Sequence, residues 1–133
     1  MNKIATAALL TIATLASGTA IANDMPQSDA RTAHKNTAKV RTVTYKCQND
    51  QKITVKYGFN KRNQPTYAEA VLNGKKRFMP INTHQSDIAS TNFGDENNFS
   101  LSGEKMTHAT VRKPIIQIQS PSSEILYKLC KAV

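Results

Sequence analysis

Val43, Tyr45 and Cys47 alternate with Thr44 and Lys46, and Ile53, Val55, Tyr57 and Phe59 alternate with Lys52, Thr54 and Lys56. A period of two sends one set of side chains into a core and the other into water, so each run reads as a half-buried β-strand. Asn49-Asp50 between them suits a tight reversal, which makes the pair a hairpin. Tyr67 to Leu72 reads as the next strand, after a polar connection from Gly58 to Pro65. Asn73-Gly74 then supplies a turn, because both positions tolerate positive φ. Lys75 to Met79 returns until Pro80, which cannot donate to a ladder. Residues 81–98 are mostly polar, with Ile88 and Phe93 as candidate core anchors. Phe99 to Leu101, Met106 to Val111, the β-branched Ile115, Ile116 and Ile118, and Ile125, Tyr127 and Leu129 leading to Cys130 read as further strands. The total is about eight short strands, with no helix and no internal repeat. The expected fold class is all-β, a small antiparallel β-barrel.

At 133 residues the chain fits one small domain and excludes a complete dinucleotide-binding fold. Residues 1–22 read as a secretory signal peptide: Lys3, an apolar stretch from Ile4 to Leu15, and the cleavage sequence Ala20-Ile21-Ala22. A transmembrane anchor is the weaker reading, because the run is rich in Thr and Ala. No cysteine adjoins the cleavage site, which argues against a lipoprotein anchor. Residues 23–40 have no apolar periodicity and read as a linker, leaving 41–133 as the domain. Export implies an oxidising compartment, where the only two cysteines, Cys47 and Cys130, are expected to form one disulfide. Closing so long a loop restricts the unfolded chain by about 4.5 kcal/mol in the entropy model. A pair of free or catalytic thiols is the alternative, but there is no C-x-x-C and no helix start to lower a thiol pKa. A bridge between first and last strands also suits a sheet that closes on itself.

Catalytic and metal-binding patterns are missing. His34, His84 and His108 are scattered, with His34 in the expected linker, and their spacing matches no zinc or calcium site. Five glycines form no phosphate-cradling loop, and the serines lie in no nucleophile elbow. Glu69 and Glu104 are the only carboxylate pair that invites comparison with a glycosidase, and no motif supports it. The expectation is a binding module rather than an enzyme, with no cofactor and no metal.

The charge, +9 overall, is unevenly spread. Lys61 and Arg62 share one loop, Lys75, Lys76 and Arg77 follow the Asn-Gly turn, and Lys46, Lys52 and Lys56 face outward on the first hairpin. These residues read either as solvated edge lysines that block aggregation or as a patch for anionic glycans or lipopolysaccharide. No nucleic-acid-binding module is evident, and export argues against that partner. Residues 81–104 contain Asp87, Asp95, Glu96 and Glu104 but no Lys or Arg. That window is either an ordinary polar loop or a surface aimed at a cationic partner.

Several stretches together resemble the neisserial adhesin complex protein family. They are Thr44-Tyr45-Lys46-Cys47, Ile53-Thr54-Val55-Lys56-Tyr57-Gly58-Phe59-Asn60-Lys61, Thr66-Tyr67-Ala68, Ala70-Val71, Asn73-Gly74-Lys75, Met79-Pro80, Ser86-Asp87 and the late Cys130. The Tyr-Gly-Phe-Asn-Lys run and the spacing from Asn-Gly-Lys to Met-Pro are the most specific, and the likeness covers about residues 40–130. More distantly the chain is similar to the membrane-bound inhibitors of c-type lysozyme. The resemblance implies an eight-stranded barrel, inhibition of host c-type lysozyme, and adhesion at the periplasmic or outer surface of a Gram-negative bacterium.

C-type lysozymes are cationic and use two carboxyl groups in a cleft. An inhibitor of the distant family fills that cleft with a loop carrying a serine, an aromatic residue and a nearby lysine or arginine. Residues 89–95 match that loop, so the resemblance implies contacts from Ser90, Asn92, Phe93, Asp95 and Glu96. No basic residue lies in the matching loop; Lys105 or His84 is expected to supply the missing contact. Lys75, Lys76 and Arg77 form the expected adhesion patch.

Overall fold

A computed structural model describes residues 30–133. The signal peptide and the first part of the expected linker lie outside the described residues. The strands are β1 (Lys39–Lys46), β2 (Lys52–Phe59), β3 (Pro65–Leu72), β4 (Lys75–Pro80), β5 (Ser90–Gly94), β6 (Ser100–Glu104), β7 (Ile116–Gln119) and β8 (Ile125–Ala132). They form an eight-stranded sheet in the order β4-β3-β2-β1-β8-β7-β6-β5, with every pairing antiparallel.

The inward positions of β1 and β2 are those the alternation marks: Val43, Tyr45, Ile53, Val55, Tyr57 and Phe59 are all buried. Their rings run across the barrel, with Tyr57 5.7 Å from Phe93 and Phe59 meeting His108 edge-on at 5.4 Å. Gly58 sits where the β2–β3 register shifts, and a Cβ there would collide with the Tyr67 ring.

Two seams close the sheet into a nearly complete barrel. β1 and β8 share only Tyr45↔Ala132 and Lys46↔Lys131, and the Cys47–Cys130 disulfide continues that short ladder by one step. The edges β4 and β5 meet through an isolated bridge, Ile81↔Phe93. Beside it the Asn82 backbone N–H donates to the Asn92 carbonyl at 2.8 Å.

Three expectations need correction. The linker ends early: Ala30–Lys35 form a short helix, α1, and β1 already begins at Lys39. Ala33 is buried, the His34 ring lies 4.8 Å from Tyr67 and 5.1 Å from Phe78, and the Thr37 hydroxyl donates to the Ala33 carbonyl at 2.7 Å. So short a helix presents no apolar stripe, and its stability comes from docking. Residues 106–111 are not a strand: Met106 and Val111 are buried, but Thr107 and Thr110 fold the segment into a turn. Residues 90–94 are a strand, because Thr91 and Phe93 alternate inward while Ser90 and Asn92 stay half-buried. Thr91 serves as a core residue because its hydroxyl accepts the buried Met106 N–H at 3.0 Å.

Candidate functional site

The segment joining β4 to β5 is the most heavily cross-braced loop in the domain, and it is built on Asn82. This residue is only 4% exposed. Its Nδ2 donates to the Gly94 carbonyl at 2.8 Å, and its Oδ1 accepts the N–H groups of His84 and Gln85, both at 3.1 Å. Ser86 extends the bracing: its hydroxyl accepts the Asn92 N–H at 2.9 Å. Asn92 Nδ2 returns a bond to the Gln85 carbonyl at 2.7 Å.

Asp87 organises the tip. Its Oδ1 accepts the N–H groups of Ala89 and Ser90, both at 2.8 Å, and the Ser90 hydroxyl at 3.1 Å. Hydrogen bonds from Ala89 and Ser90 stabilise the charged form, so the carboxyl is held below the usual carboxylate range. Between Asp87 and Ala89, Ile88 stands out into solvent, 89% exposed. The expectation that Ile88 anchors the core is therefore overturned. The turn that Asp87 fastens points its neighbour away from the barrel.

The structure divides the residues that the sequence grouped as one loop. Ser90 and Lys105 lie together: the Lys105 N–H donates to the Ala89 carbonyl at 3.0 Å, and both residues line one open groove. His84 is exposed in the same braced loop, and Asn92 is half-buried as part of its bracing. Phe93 is fully buried against Tyr57, which removes it from any contact surface. Asp95 and Glu96 lie past the far end of β5, about 17 Å from Ser90 at the ordinary rise of a strand. There Asp95 Oδ1 accepts the Asn97 N–H and an Asn98 Nδ2 hydrogen, closing the β5–β6 turn. The insertion of a strand into the presumed loop is the reason for this split.

The basic triplet is divided as well. Lys75 and Lys76 are exposed at the β3–β4 hairpin. Arg77 is committed to the fold: its Nε donates to the Leu72 carbonyl at 3.1 Å, and its guanidinium lies 4.5 Å above the Phe99 ring. Ile88, Asp87, Lys35, Lys61 and Arg62 all border the braced loop or the groove beside it; Lys61, Arg62 and Asp87 were legible only as local charge, Ile88 was expected in the core, and Lys35 was not expected to contribute. Ser86-Asp87 was visible as part of a resemblance, yet its role in presenting Ile88 depends on the folded turn.

Among the described residues, no three His, Cys, Asp or Glu side chains converge as metal ligands. No helix among them is long and apolar enough to cross a membrane.

The model of the ACP-like domain family matches residues 41–132. The chain belongs to the ACP-like domain family. Among solved structures, the family fold here is similar to the Adhesin Complex Protein from Neisseria meningitidis, at 41% sequence identity and a TM-score of 0.66. That similarity covers 70% of this chain and 99% of the meningococcal one. A comparison with curated proteins finds no match. The matched family domain begins inside β1, so α1 stands before it.

Proposed function

We propose that this protein is an exported adhesin of a Gram-negative cell surface that also inhibits host c-type lysozyme. The adhesive role is supported by 41% identity to a protein named an adhesin complex protein, across nearly the whole of that chain. Periplasmic or outer-surface placement follows from the same likeness and from the signal-peptide reading of residues 1–22.

The observation that carries the inhibitory reading is the braced 82–92 loop with Ile88 at its tip. Binding into an enzyme cleft costs less when the inserted segment is already ordered. Ile88 is an exposed apolar anchor, and Ser90 and His84 in the same loop, with Lys105 bonded through its N–H to Ala89, supply polar groups. Lys105 is the basic contact of this set: it carries a positive charge to the Ser90 side of the loop, where a cleft carboxylate would meet it. Asp87 lies beside them and offsets the repulsion of a cationic enzyme.

The test is lysis of bacterial cell walls by human c-type lysozyme with the purified exported protein titrated in. Inhibition approaching one inhibitor per enzyme is expected. Ile88→Asp should weaken it by about tenfold or more, as expected for loss of a central anchor. Asp95→Ala with Glu96→Ala should leave it unchanged. Absence of inhibition by protein with an intact disulfide would overturn the inhibitory reading and leave adhesion standing.

A second reading, adhesion alone through the β3–β4 hairpin, rests on the exposure of Lys75 and Lys76. It expects Lys75→Glu with Lys76→Glu to abolish attachment to epithelial cells.

A further inference from the structure

The groove beside the braced loop has a volume of about 750 Å³ and is open to solvent. Four separate segments meet there: the residues after α1, the β2–β3 turn, the loop before β5, and the residues after β6. Each of the first two and the last brings cations: Lys35, Lys61 with Arg62, and Lys105. Among the described residues the only carboxylate in the lining is Asp87, and three donors already engage one of its oxygens. Among the described residues the single ion pair is Lys46–Asp50, far from this groove, so all four cations lack a counter-charge.

Their backbone positions are set by the fold. Asn60 Oδ1 accepts the N–H groups of Arg62 at 2.8 Å and Gln64 at 3.0 Å, which holds the turn that presents Lys61 and Arg62. The Lys105 N–H is bonded to Ala89. The hydroxyls of Thr37 and Thr66 bond to each other and pin the connection between α1 and β1 to β3. Sequence separation hides this cluster: Lys35 and Lys105 are brought together only by barrel closure and by the docking of α1.

We infer that this groove is a binding site for an acidic oligosaccharide, a chain of sugar rings bearing carboxylate or sulfate groups. Unpaired cations around an open channel concentrate polyanions. Asn60 and Gln64 are bonded to each other and leave the Gln64 Nε2 donor, with the amide of Asn36, for ring hydroxyls, and Pro65 and Ile81 give apolar surface for ring faces. The volume lies within the range that holds small multi-ring ligands, about 300–1,000 Å³. Single-stranded nucleic acid fits less well: among the described residues no aromatic side chain lines the groove, so bases have nothing there to stack on. The inference deepens the adhesion reading, on which it rests for its biological setting, and shares Ser90 and Lys105 with the inhibitory reading.

The experiment is calorimetric titration of the purified protein with a heparin hexasaccharide, a hyaluronan hexasaccharide and a single-stranded DNA of matched charge. Binding of at least one hexasaccharide, weakening with salt, is expected. The variant K61A/R62A/K105A removes three exposed charges and should lose about tenfold in affinity or more. The control K128A/K131A, on exposed β8 lysines that do not line the groove, should stay within about twofold, because surface lysines outside a site contribute little. Failure of both sugars to bind, DNA binding at least as tightly as the sugars, or equal losses in the two variants would each overturn the groove site. Cell attachment measured on the same variants separates the two claims. Attachment that survives in K61A/R62A/K105A while sugar binding is lost refutes the groove as the adhesive surface but leaves adhesion itself intact.

Discussion

Tyr45 and Tyr57, on neighbouring strands, bond hydroxyl to hydroxyl at 2.7 Å inside the barrel. Both rings are fully buried. Each hydroxyl is the partner that makes burial of the other tolerable. Tyr45→Phe or Tyr57→Phe should therefore cost about 1–3 kcal/mol, because the remaining hydroxyl is stranded. The double variant should cost less than the sum of the two. A double-mutant cycle by urea denaturation measures this, and simple additivity would show that the pair is not coupled.

The same pair predicts alkaline behaviour. Burial pushes the Tyr45 phenol up to about 12, partly offset by the bond from Tyr57 and the charge of Arg112. Burial likewise holds Tyr57 well above its ordinary value. The unfolded chain releases these protons first, from about pH 10. Stability contributed by the pair is thus complete below pH 10 and falls as pH rises towards 12. Tyrosinate absorbance should rise together with loss of far-ultraviolet β signal, and early titration of all tyrosines in a folded barrel would contradict it.

Asp87 sets the acid limit of the loop. Its folded carboxyl is held low by Ala89 and Ser90, so its stabilising contribution is present above the ordinary carboxylate range and is lost as pH falls through the lowered value. Protected amide protons at Ala89 and Ser90 should persist below about pH 4 and then open. Asp87→Ala should free both amides at neutral pH, read by hydrogen exchange, and leave the barrel folded. It should also weaken lysozyme inhibition, because Ile88 is no longer presented in one conformation.

Asn82 is the brace on which the β4–β5 closure depends. Asn82→Ala removes the bond to the Gly94 carbonyl and strands that buried acceptor, at a cost of about 1–3 kcal/mol. Chemical denaturation measures the loss, and exchange protection should fall first around Ile81 and Phe93. Uniform loss of protection would mean that the seam does not open separately.

The disulfide clamps the β1–β8 seam. β1 and β8 share two residue pairs before Cys47 meets Cys130. Cys47→Ala with Cys130→Ala should cost about 2–5 kcal/mol, the usual range for a native disulfide in a small domain. The midpoint of thermal unfolding should drop accordingly, and an unchanged midpoint would place the seam's stability in its hydrogen bonds.

Strict alternation was enough to assign β1 and β2, since a period of two has only one solution that buries Val43, Tyr45, Val55 and Tyr57 together, and the Asn73-Gly74 turn was enough to set β3 and β4 on either side of it. Two cysteines in a chain expected to be exported were likewise enough to pair Cys47 with Cys130. Local pattern failed where the inward residue is polar or the segment is short. Thr91 reads as loop chemistry until its hydroxyl meets Met106, and α1 is stable only against Tyr67 and Phe78. The count of eight strands survived because the unrecognised β5 replaced the segment around Met106 and Val111.

The candidate site was legible as composition and not as geometry. The acidic window did contain the braced loop, but β5 carries Ser90 and Glu96 to opposite ends of the barrel and Phe93 into its core. Exposure of Ile88 and convergence of Lys35, Lys61, Arg62 and Lys105 depend on hydrogen bonds and contacts between segments far apart in the chain. Side-chain periodicity is a local property of the backbone, and the sequence by itself determined the barrel through it. The surfaces arise from long-range closure, so only the tertiary structure decided which charges stand together and which residue points at a partner.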